Sequence, residues 1–85
     1  MAELRRIGTN AAEVEVSDRT ILFSYDTAVA VDIRGAGVFA TYKYWSRTTS
    51  GHVRDWLKYR GHVSRVSQED INNLAAGGRP GEIKL

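Results

Sequence analysis

Cysteine is absent from this chain of 85 residues, and proline occurs only once. Without thiols the chain can form no disulfide, no thiolate zinc site and no cysteine nucleophile. Only His52 and His62 remain as nitrogen ligands for a metal. We therefore expect no metal site and no cofactor.

Long apolar runs are also missing, since no stretch approaches the ~20 residues that a membrane-spanning helix needs. Residues 1–10 carry Arg5 and Arg6 but lack the apolar segment of a secretory signal. These two absences predict a cytoplasmic protein that makes no contact with a membrane.

The remaining composition is that of a small folded domain. Hydrophobic residues make up 42% of the chain and charged residues 26%, unlike the apolar-poor composition of disordered chains. A chain this short has room for one core. We predict a single domain over residues 1–78 and a flexible tail over residues 79–85, because glycine and proline cluster before that tail.

Alternating apolar residues and turn signals in the first half predict a series of β-strands. Val29, Val31 and Ile33 are expected to point from one strand into the core, and Gly35 and Gly37 suit a hairpin turn. The predicted strands cover four segments: residues 13–16, 20–25, 28–33 and 38–45.

A change of period after Trp45 predicts two helices. The hydroxyl run Ser46–Ser50 can cap the first helix, and Val53, Trp56 and Leu57 would form its apolar stripe. Residues 62–66 read as a link or short edge strand. Ser67 then begins a capping box for a short second helix that carries two apolar residues, Ile71 and Leu74, inward.

Together these elements predict an α+β fold. It consists of an antiparallel β-meander of about four strands, followed by one main helix and a short second helix packed on one sheet face. The other sheet face would be left to water or to a partner.

Charge is distributed unevenly along the chain. Residues 1–42 contain four basic and six acidic side chains, whereas residues 43–65 contain six basic side chains against the single acid Asp55. Five of the eight aromatic residues lie within residues 42–60. The basic and aromatic residues are therefore concentrated in one central segment.

Interleaved cations and aromatic rings favour nucleic-acid binding, because cations neutralise phosphates and exposed rings stack on bases. The alternative is a purely structural role, in which the aromatic residues belong to the core and the cations to an ordinary solvated surface. The candidate nucleic-acid-binding residues are Lys43, Trp45, Arg47, Arg54, Lys58, Arg60 and Arg65.

Catalysis is disfavoured. Ser50, His52 and Asp55 fall within about one and a half helical turns and would point in different directions, so they do not form a hydrolase triad. His52 is expected to pack near Trp56, four residues on. We predict no catalytic residue and no enzymatic activity.

The block Ser46–His52, which follows the strand segment that contains Tyr42–Trp45, resembles a family of small uncharacterised proteins from phages and bacteria. The resemblance extends over residues 20–58 and implies no activity, cofactor or site residue. It implies only a context, that of short phage or mobile-element proteins that bind host or phage machinery.

A protein-binding inhibitor or adaptor of anti-defence type is the alternative to nucleic-acid binding. In that case the acidic residues would matter as much as the basic ones. An exposed sheet edge further favours a homodimer. The acidic residues in question are Glu13, Glu15, Asp18, Asp26 and Asp32.

Overall fold

The computed structural model describes residues 3–82, and within this range the chain forms one six-stranded sheet and two α-helices. A short 3-10 helix, Pro80–Glu82, follows the second α-helix. The elements in chain order are β1 (Glu3–Gly8), β2 (Ala11–Val16), β3 (Arg19–Ser24), β4 (Thr27–Ile33), β5 (Gly37–Thr41), α1 (Arg47–Leu57), β6 (Val63–Val66) and α2 (Gln68–Ala75).

The strands lie in the sheet in the order in which they occur in the chain. Strands β1 to β5 form the predicted antiparallel meander, but β6 pairs with β5 in parallel, as a strand that returns through the helix α1 must. The α+β class is confirmed, and the expected number of about four strands is too small.

Strand β1 is not among the strands predicted from the sequence. Its six residues, ELRRIG, are all exposed, so no alternation between buried and exposed positions marks it. The strand forms because β2 offers a pairing edge, with Leu4 opposite Val14 and Arg5 opposite Glu13. For residues 62–66 the sequence predicts either a link or a short edge strand, and the structure forms the edge strand β6 there.

The two helices pack on opposite faces of the sheet, not on one face as expected. Val53 and Trp56 of α1 lie in one buried cluster with Leu22, and Ile71 and Leu74 of α2 lie in the other. Neighbouring residues of a strand point to opposite faces, so β3 supplies a core residue to each side. The expected open face is therefore covered over the middle of the sheet.

A β-bulge in β4 changes one predicted side-chain direction. Leu22 pairs with Ala30, whereas Phe23 pairs with Ala28, so Val29 is an extra residue in the ladder. Val29 consequently belongs to the α1 cluster, while Val31 belongs to the α2 cluster. The expectation that these two valines share a face is wrong.

The ends of both helices follow the sequence signals. Ser46 caps α1 by accepting a hydrogen bond from the Thr49 amide at 3.1 Å, and Ser67 caps α2 in the same way through Asp70. The predicted tail, residues 79–85, begins with the 3-10 helix, and residues 83–85 lie outside the described part of the chain.

Candidate nucleic-acid interface

One face of α1 carries a row of cations. Arg47, Arg54 and Lys58 are spaced by seven and four residues, which places them within ~40° of one another on a helix of 3.6 residues per turn. All three are exposed, and they point away from the buried side of the helix at Val53 and Trp56. We call these three residues the basic stripe.

A groove beside the basic stripe brings in two more cations. Its volume is about 180 Å³, and Lys43, Arg54 and Arg65 provide its charged side chains. The other lining residues, among those that the structure describes, are Thr41, Thr49, Ser50 and Val53, so no carboxylate faces the groove. We call this site the basic groove.

The cations of the basic groove come from three different elements. Lys43 lies in the β5–α1 loop, Arg54 in α1, and Arg65 in the edge strand β6, where its guanidinium donates to the Thr41 carbonyl at 3.2 Å. The edge strand thus places Arg65 beside residues far away in sequence. No acidic residue occupies the first turn of α1, so no carboxylate there neutralises the positive end of the helix dipole.

Arg54 is only weakly paired. Its Nε lies 3.8 Å from an Asp55 carboxylate oxygen, and both side chains are about four-fifths exposed. Exposed pairs of this kind contribute ~0–1 kcal/mol and compete poorly with a polyanion. Arg54 is therefore free to contact a phosphate.

Three aromatic residues flank Lys43, a lining residue of the basic groove, in the sequence of the β5–α1 loop. Tyr42 is 68% exposed, Tyr44 70% and Trp45 41%. The indole N–H of Trp45 donates to Gln68 at 3.0 Å, and the Lys43 ammonium lies 4.0 Å from the centre of its ring. Trp45 is thus held in place with one face under Lys43, whereas the two tyrosines are more open to a ligand.

Arg60 lies apart from this surface although it belongs to the same basic segment. Its guanidinium donates to Asp32 and to the Trp56 carbonyl, and it stacks 3.8 Å from the centre of the Trp56 ring. It also lies 3.9 Å from Glu13. Arg60 therefore contributes to the contact between α1 and the sheet, and it is not among the residues that line the basic groove.

A larger cleft on the other side of α1 was not expected from the sequence. It has a volume of about 520 Å³ and separates α1 from the β1–β2 turn. It is formed by residues up to 49 positions apart, so no local motif could have indicated it. Its lining residues are Ile7, Gly8, Thr9, Asn10, Ala11, Glu13, Thr48, His52, Asp55 and Trp56.

His52 is fixed at the wall of this cleft. Its Nδ1 is 2.8 Å from the buried hydroxyl of Ser24, which is itself 2.8 Å from the Thr49 hydroxyl. His52 and Trp56 both line the cleft, and the hydrogen bond that orients the His52 ring comes from Ser24. Because Ser24 is only 2% exposed, it can orient the imidazole but cannot act as a nucleophile.

Residues 3–82 contain no group of three or more histidine or carboxylate side chains placed so that they could hold a metal ion. Within the same range, no helix is long and apolar enough to cross a membrane.

The fold and this surface define a small α+β domain with cations gathered along one helix. A family model matches residues 2–73, and the chain belongs to this family, which is described as a family of unknown function, DUF8033. The expected relation to an uncharacterised family is confirmed over a longer range than residues 20–58. Comparison with curated proteins and with solved structures gave no match.

Proposed function

We propose that the protein binds single-stranded nucleic acid through the basic stripe, the basic groove and the tyrosines of the β5–α1 loop. The observation that carries the proposal is the convergence of Lys43, Arg54 and Arg65 on one groove that no carboxylate in the described part of the chain lines. In this proposal the protein has no catalytic activity, occurs in the cytoplasm and is encoded by a phage or mobile element.

The arrangement supports a single strand more than a duplex. Phosphates would lie along Arg47, Arg54 and Lys58, and unstacked bases would meet the exposed rings of Tyr42 and Tyr44. Bases in a duplex are already stacked on each other, so open tyrosines add little to duplex binding, whereas each base stacked on a ring contributes ~1–3 kcal/mol.

The protein-binding alternative is favoured by the cleft between α1 and the β1–β2 turn. The cleft combines apolar walls at Ile7 and Trp56 with the carboxylates of Glu13 and Asp55, which suits a basic group of a protein partner. Glu13 and Asp32 are less available to a protein partner, because both carboxylates lie within ion-pair distance of Arg60.

Fluorescence anisotropy with labelled oligomers of equal length tests the proposal. We expect single-stranded DNA or RNA to bind more tightly than duplex DNA at low salt. Absence of binding to all three oligomers at low salt would reject the proposal. The protein partner would then be sought with the wild-type chain and a cleft variant, Asp55→Lys, as paired baits.

A further inference from the structure

Within residues 3–82, the strand β1 forms one edge of the sheet and pairs only with β2. All six of its residues are exposed, and Leu4 is 69% exposed. An edge strand presents a row of unpaired amide and carbonyl groups, which can pair with another strand. We infer that β1 pairs with β1 of a second copy of this chain, antiparallel and centred on Leu4.

Symmetry limits the possible registers. In a twofold antiparallel pair the axis is perpendicular to the sheet, and one residue lies opposite its own copy. A centre at Arg5 or Arg6 would place two arginines side by side. A centre at Leu4 places the two copies of Leu4 opposite each other. It also places Glu3 of each copy opposite Arg5 of the other, so the Glu3–Arg5 contact occurs twice. Opposite charges across strands stabilise a pair and like charges destabilise it.

The charges of each protomer are arranged to receive this partner. Glu3 lies opposite Glu15 on β2, and within residues 3–82 no cation approaches Glu3 to ion-pair distance. Arg5 contacts Glu13 at 3.7 Å but remains 64% exposed. In the proposed dimer each Glu3 gains the Arg5 of the second copy, which offsets the repulsion between Glu3 and Glu15.

The apolar face of the sheet gives a second, independent reason. A cross-strand row joins Leu4, Val14, Ile21, Val31 and Phe39, one residue from each of the first five strands. Ile21, Val31 and Phe39 are buried, whereas Val14 is half-buried and Leu4 is exposed. Pairing at Leu4 would continue the apolar row into the second copy, and Leu4, the exposed end of the row, would be removed from water.

Two opposite charge reversals test both the dimer and its register. Glu3→Arg and Arg5→Glu should each raise the dimer dissociation constant at least tenfold, because each creates two like-charge contacts across the symmetric interface. An equimolar mixture of the two variants should restore the wild-type dissociation constant to within a few-fold, since both contacts then join opposite charges. Sedimentation velocity over a concentration series measures all four samples, and circular dichroism checks that each variant folds.

Three results would overturn the inference. They are a wild-type chain that stays monomeric throughout the series, single variants that dimerise as well as the wild type, and a mixture that remains monomeric. The test uses no nucleic acid, so its outcome is separate from that of the proposed function.

Discussion

The cations along α1 and the one that follows its C-terminal end serve different purposes. Along the helix, Arg47, Arg54 and Lys58 are exposed and lie beside a groove that no carboxylate in the described part of the chain lines. Beyond the end of the helix, Arg60 is surrounded by Asp32, Glu13 and the Trp56 ring. A high density of cations in a segment therefore does not identify a binding surface, since the partners of each cation decide whether its charge is available to a ligand.

Arg19, at the start of β3, is a second arginine whose charge is used within the fold. Its side chain is only 9% exposed, and its guanidinium donates to the carbonyls of Leu74 and Gly78 at 2.8 and 2.7 Å. It also donates to Asp18 at 2.9 Å. Like Arg60, Arg19 is committed to the fold, where it binds the C-terminal end of α2 to β3.

The largest effect is expected on the exposed side of α1. The double variant Arg54→Glu, Lys58→Glu should bind single-stranded nucleic acid at least ~100-fold more weakly, because two phosphate contacts become repulsive. Anisotropy titration at one low salt concentration measures the change.

The matched control for this variant is Arg6→Glu, Arg34→Glu, which changes the net charge equally at exposed positions of β1 and the β4–β5 turn. We expect it to keep most of the affinity. Equal losses in the two double variants would mean that net charge, and not the basic stripe, controls binding.

For Arg60 we expect substitution to reduce stability and to leave nucleic-acid binding almost unchanged. Arg60→Met should lower the free energy of unfolding by about 2 kcal/mol, because Asp32 loses a charge-assisted hydrogen bond in a half-buried site. Urea denaturation measures this loss. The affinity of the folded variant for nucleic acid should change less than twofold, and a large loss of affinity without a loss of stability would return Arg60 to the binding surface.

Stacking should contribute less than charge. Tyr44→Ala is expected to weaken binding to a single strand by about 1 kcal/mol, the lower end of the range for one stacked base. Tyr44→Phe keeps the ring and serves as the control in the same anisotropy assay. Equal losses in both variants would indicate a hydroxyl contact in place of stacking.

The smallest expected effect concerns acid stability. The hydrogen bond from Arg19 holds the pKa of Asp18 below its ordinary value of 3.8. A lowered carboxyl pKa contributes stability that is present above pH 3.8 and is lost as the pH falls through the folded-state pKa. Thermal unfolding between pH 7 and pH 2 should show a slightly smaller acid dependence for Asp18→Asn than for the wild type, and identical profiles would contradict the assignment.

Much of the fold followed from local patterns in the sequence. The hydroxyl caps Ser46 and Ser67, the buried side of α1 and the strands from β2 to β5 are marked by neighbouring residues and were predicted. The strand predicted over residues 38–45 is too long, since β5 ends at Thr41 and the chain then continues as a loop to α1. Strand β1 could not be predicted because its exposed residues show no alternation. The parallel return strand β6 and the bulge in β4 were not predicted either, because both depend on pairing between strands and no local pattern specifies them.

The candidate site was predictable only in part. Exposure of Lys43, Arg54 and Arg65 agrees with their proposed role, but their meeting in one groove depends on pairing between β5 and β6. The partners of Arg60 lie 28 and 47 positions away in sequence, at Asp32 and Glu13, so its structural role was hidden. The cleft at His52 could not be predicted for the same reason, because its lining residues are far apart in the sequence.

The salt dependence of binding to a single strand tests the central claim most directly. Five cations, Lys43, Arg47, Arg54, Lys58 and Arg65, would each neutralise one phosphate, so the logarithm of the affinity should fall against the logarithm of the salt concentration with a slope of roughly −3.5. In the Arg54→Glu, Lys58→Glu variant the slope should shrink to about −2. A slope near zero, or one that is the same in both proteins, would contradict binding through this surface.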